Sequence, residues 1–129
     1  MKFAKVVFLI AGIWGILVIT PLFFIFQTIG VKDPPPITHP GFYYGFATAA
    51  LAWQIAFFVI ASDPVRFRPL MIPSALEKFG YCTAVIVLFL QNRIQSTDLV
   101  FAGTDMVLGF LFVAAFLACR RKRLDPQAT

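Results

Sequence analysis

An all-α, membrane-embedded four-helix bundle with both ends on the cytoplasmic side is the fold this sequence predicts, on three observations. Four apolar runs each approach the length, about 20 residues, that a helix needs to cross a hydrocarbon core. The composition is 60% hydrophobic and 13% charged, against about 45–50% and about 25% in an ordinary soluble domain. Basic residues are in excess on alternate connecting segments, as the positive-inside rule asks of a chain with an even number of spans. A soluble domain of 129 residues has too poor a ratio of core to surface to hide this much apolar area. Lipid removes the difficulty, and the chain reads as a single domain over 1–129.

The first span is expected at about 6–28. A secretory leader has an apolar stretch of only about 7–15 residues that ends in a small-residue cleavage site. Here the run continues through Pro21 into Phe23, Phe24 and Phe26, so an uncleaved anchor helix is expected, kinked where Pro21 removes a backbone donor. A stiff loop follows, because Pro34, Pro35, Pro36 and Pro40 favour extended polyproline backbone over helix. The second span, about 42–62, opens on Tyr43 and Tyr44, rings suited to the membrane interface. It closes at Ser62-Asp63-Pro64, a turn signal.

The third span is the weakest, because Glu77 and Lys78 interrupt its apolar pattern. Ser74 and Glu77 have capping-box spacing, which predicts a helix over 74–94 with Ser74 as N-cap. That start places Glu77 and Lys78 in the first turn, at the cytoplasmic interface, where Lys78 can snorkel. Adjacent residues on a helix do not face each other, so the two are not expected to neutralise one another. The fourth span, about 98–119, contains one charge, Asp105, and a polar tail, 120–129, follows it.

Charge placement sets the topology and excludes nucleic acid. The net charge of +5 comes from residues that flank apolar runs: Lys2 and Lys5, then Arg66 and Arg68, then Arg120, Arg121, Lys122 and Arg123. These read as topology determinants and contacts for lipid headgroups, each worth about 1 kcal/mol near an anionic surface. The expected partners are the lipid bilayer and either another membrane protein or a second copy of this chain. Cys82 and Cys119 lie in apolar runs outside any C-x-x-C pair, which excludes a paired-cysteine exchange enzyme and leaves small buried hydrophobes. His39 is the single histidine, so a bis-histidine haem is excluded. Neither metal nor any other cofactor is expected.

Asp105 is the leading candidate for a site. A charge at the centre of a membrane helix costs about 2.5–3.5 kcal/mol on insertion scales and normally faces the bundle interior with a partner. Its face carries Ala102 and Gly109 at helical spacing. At similar depth the sequence offers Thr20 and Thr48, with Tyr44 above, Arg93 able to reach down and Gln54 near mid-bilayer. Two uses are open: a carboxylate that fixes helix packing, which we favour for a lone acid, and a proton or ligand site lined by Asp105, Gln54, Thr48, Tyr44 and Arg93. Gln54 alone is expected to make an interhelical hydrogen bond. Gly41, Gly45, Ala49, Ala52 and Ala56 form a small-residue stripe of the kind that lets helices approach closely. It is expected to pack within the bundle, against Gly109, Ala114 and Ala118, with a homodimer interface as the lesser alternative.

The stretches Pro35-Pro36-Ile37-Thr38-His39-Pro40, Phe42-Tyr43-Tyr44-Gly45-Phe46 and Asp63-Pro64-Val65-Arg66-Phe67-Arg68-Pro69-Leu70 resemble a small uncharacterised family of bacterial four-span membrane proteins. More loosely, size, span count and the basic loop after the second span resemble the DoxX-like superfamily. The resemblance implies a bacterial inner-membrane location and brings no catalytic residue. The expected role is that of a non-enzymatic accessory, assembly or scaffold protein. The alternative is binding or transport of a small apolar or proton-coupled ligand through a cavity near Asp105. A membrane enzyme would need Glu77, Tyr81 and Asp105 to converge.

Overall fold

The first apolar run forms α1, Lys2–Ile19, and stops where Pro21 cannot donate to the carbonyl one turn back. The chain tightens into a 3-10 turn, Thr20–Phe23, and then re-forms as a short helix α2, Phe26–Lys32. The Tyr43 hydroxyl donates to the Leu22 carbonyl at 2.6 Å, occupying an acceptor that the break leaves outside a regular helix. Phe26 stacks on Tyr44 with ring centroids 5.5 Å apart and meets Tyr43 edge-on at 5.0 Å. The single span expected over 6–28 is therefore a broken one, and part of the expected loop is helical. Local apolarity carries the chain back into helix once the proline is passed.

Helix α3, Pro40–Ser62, begins with proline in its first turn, where the missing N–H costs nothing. It ends at Asp63, whose carboxylate accepts from the Arg66 backbone N–H at 3.2 Å. A 3-10 turn, Arg68–Leu70, runs directly into α4, Met71–Leu90. The expected N-cap at Ser74 is not there: its hydroxyl lies inside the helix and donates to the Leu70 carbonyl at 2.8 Å. Preceding Pro73 is tolerated because it sits in the first turn. Helix α5, Asp98–Leu124, extends past the expected end at 119. The described residues are 1–125 of this computed structural model, so the last four of the expected tail lie outside them, as does the side chain of Arg123. Among the described residues there is no strand.

Four segments are long and apolar enough to cross a bilayer: Lys2–Phe23, Pro40–Ser62, Arg68–Leu90 and Asp98–Lys122. Their outward faces carry Leu17, Leu76, Val107 and Phe110, all largely exposed, as lipid contact requires. Helix α1 packs on α3 and α4 packs on α5; the two pairs join chiefly through α1 and α5, with little contact between α3 and α4. The core is aromatic. Phe8 stacks on Phe112 at 4.2 Å, and Phe57 meets Phe112 at 5.0 Å, with all three fully buried. In lipid no water is expelled on packing, so close van der Waals fit of this kind holds helices together.

Cys82 and Cys119 are both buried and unbridged, as their apolar settings imply. Cys119 belongs to the aromatic core, whereas Cys82, Val85 and Ala102 form a second cluster confined to α4 and α5. Arg68 locks the α3–α4 connection to α5. Its Nε donates to the Phe116 carbonyl at 2.9 Å, and its guanidinium lies 3.6 Å from the centre of the Phe116 ring.

Candidate functional site

The early start of α4 decides where its charges lie. Glu77 and Lys78 are the tenth and eleventh of the 23 residues from Arg68 to Leu90, which puts them in the middle of the span instead of at its mouth. Lys78 is 4% exposed. A cation so placed must find partners, because an unpaired one costs several kcal/mol. It finds two. Lys78 Nζ lies 3.3 Å from Asp105 Oδ1 across the α4–α5 contact and 3.4 Å from Glu77 Oε2 beside it.

Two expectations are overturned by this arrangement. Glu77 and Lys78 do meet, because the long lysine stem folds toward its neighbour instead of standing straight out. The partner of Asp105 is not Arg93. Arg93 is exposed in the α4–α5 connection, where its guanidinium donates to the Gln91 side-chain oxygen at 3.4 Å. Glu77 and Asp105 therefore share one side of the bundle. The third face of Lys78 is aromatic, with its ammonium 5.3 Å from the centre of the Phe57 ring, within cation–π range.

The remaining predicted site residues do not join this cluster. Tyr44 is held by Phe26, and Thr48 is exposed on α3. Gln54 is buried at 2% exposure, but its Nε2 donates to the Ala50 carbonyl of its own helix at 2.8 Å. The expected interhelical bond is absent, and Oε1 has no hydrogen-bond partner. That oxygen lies against the backbone of Gly15, where a side chain would collide with it. Ala102 and Gly109 are buried, as their shared face with Asp105 implies.

The small-residue stripe turns the other way from its expected direction. Gly41, Gly45, Ala49 and Ala52 are exposed and Ala56 is half-buried, while Ala47, Ala50, Gln54 and Phe57 face inward. A Cβ added at Gly41 or Gly45 would meet nothing within 4 Å. The inward set falls on the opposite side of a helix with 3.6 residues per turn. Gly109 meets the Phe79 ring of α4 instead, and Ala114 is exposed.

Two surface hollows lie away from the charges. One is lined by Thr38, His39, Pro40, Gly41 and Phe42, the other by Ile16, Leu17, Thr20, Pro21, Phe24 and Ile25. Asp105 lines neither. Sequence reasoning passed over Lys78 as a site residue, although a lysine amid apolar residues with acids on two helices is the signal that marks it. The chain matches no family model, no curated protein and no solved structure.

Proposed function

We propose that this chain is a non-enzymatic membrane protein that works by lateral association with a helix of another membrane protein, as an accessory or assembly subunit. The observation that carries the proposal is the outward small-residue face of α3, where Gly41 and Gly45 leave open space. Small residues on a lipid-facing helix let a partner backbone approach closely, which is how helices associate where no hydrophobic driving force acts between them. The charged cluster is compatible with the same reading, because Asp105 is engaged by Lys78 and lines neither of the two surface hollows. A cavity-based transport role has no such support.

Orientation belongs to this proposal as well. The segments bearing Lys2 and Lys5, Arg66 and Arg68, and Arg120 to Arg123 fall at one end of a four-span chain, and the positive-inside rule puts that end in the cytoplasm. A bacterial inner membrane and a DoxX-like relationship remain expectations from the sequence resemblance.

Replacing Gly45 and Ala49 together by leucine tests the association. The double variant should insert normally and lose at least tenfold in recovery of its membrane partner on affinity purification from mild detergent. Undiminished recovery would remove the basis of the proposal.

A further inference from the structure

The charge count at the centre of the bundle is unbalanced. Lys78 is the single cation there, and it faces two carboxylates, Asp105 at 3.3 Å and Glu77 at 3.4 Å. Both are only partly exposed, at 17% and 23% of their side chains, and Glu77 Oε2 is buried without a hydrogen bond. One ammonium neutralises one carboxylate. Ionised together, the three groups leave a net negative charge in the middle of a membrane span, where like charges sharing a site cannot both persist cheaply.

Among the described residues no other group supplies the missing positive charge. Tyr81 and Cys82, the titratable residues near the cluster on α4, are acids, and so is Asp98 at the start of α5. Helix α3 offers the Phe57 ring and has no titratable residue between Tyr44 and Asp63. Helix α1 has none after Lys5. We infer that Glu77, Lys78 and Asp105 form a proton-binding site that holds one exchangeable proton, shared by the two carboxylates, at neutral pH. The ligand is a proton, taken up without any covalent or redox step: binding forms one carboxyl O–H bond, and release returns the proton to water. The site is independent of the α3 face and of any partner.

Infrared difference spectroscopy of the full chain in lipid nanodiscs reads the number of protonated carboxyls directly. At pH 7 the wild-type protein should show the carbonyl band of one protonated carboxyl per chain, lost reversibly on raising the pH. Glu77→Gln and Asp105→Asn should each abolish it, because the carboxylate left behind is matched by Lys78. Lys78→Met should double it. The wild-type measurement stands even if a variant fails to fold. Absence of the band in wild-type protein at pH 7 would overturn the inference. So would its survival in both carboxylate variants, or its loss when sodium chloride is added at constant pH, which would assign the site to a metal cation.

Discussion

Lys78 is the residue on which most depends, because it is the buried partner in both ion pairs at the centre of the α4–α5 contact. Removing one partner of a buried ion pair leaves the other uncompensated and costs about 3–5 kcal/mol, whereas replacing the whole set by apolar or neutral groups is often close to neutral. Lys78→Met should therefore destabilise the bundle by roughly 3 kcal/mol or more. The triple variant Glu77→Gln, Lys78→Met, Asp105→Asn should recover most of that loss. Unfolding of the purified protein in one fixed detergent measures both. An unaltered stability in Lys78→Met would mean that the cluster holds nothing together. Asp105 was legible in the sequence because one acid in an apolar run must face inward. Its partner was not, because Glu77-Lys78 looked like an interruption of the third span and Ser74-x-x-Glu77 offered a capping pattern that moved both charges to the interface. Spacing alone cannot tell a helix start from a helix that began one turn earlier.

At the scale of elements, Gly15 of α1 leaves the space that the Gln54 amide of α3 occupies against its backbone. Gly15→Ala forces that side chain aside in a tightly packed region, and overpacking of this kind costs about 1–3 kcal/mol. The loss should be largely reversed by adding Gln54→Ala, which also removes the unsatisfied Oε1; thermal unfolding of the two variants tests the pairing. If Gln54→Ala adds a further loss instead, the amide is structural in its own right. The four spans were legible because apolar run length in lipid is a hard constraint. The break at Thr20–Phe23 and the docking of α2 on Tyr43 and Tyr44 were not, since a proline marks where a helix weakens without saying what the chain does next. The direction of the α3 stripe was also hidden. Glycine and alanine at helical spacing permit close approach on their face, and only the packing of Ala47, Ala50 and Phe57 against the bundle reveals which face that is.

For the whole molecule, the orientation proposed from the basic segments is one that labelling can check. Single cysteines at Lys5, Arg66 and Asp125, in a background lacking Cys82 and Cys119, should react with a membrane-impermeant thiol reagent from the cytoplasmic side alone. Cysteines at Thr38 and Gln95 should react from the opposite side, and mixed sidedness within either set would contradict the four-span topology. Inside that frame the molecule divides its polar chemistry: Glu77, Lys78 and Asp105 are engaged within the α4–α5 pair, while α3 turns a bare small-residue face outward. The association claim is tested most directly by photo-cross-linking in native membranes, with a photoactivatable residue placed singly along α3. Gly45, Ala49 and Ala52 should each cross-link to one and the same membrane polypeptide, and Ala47, Ala50 and Phe57 should cross-link only within the chain. Lipid adducts alone at Gly45, Ala49 and Ala52 would contradict it.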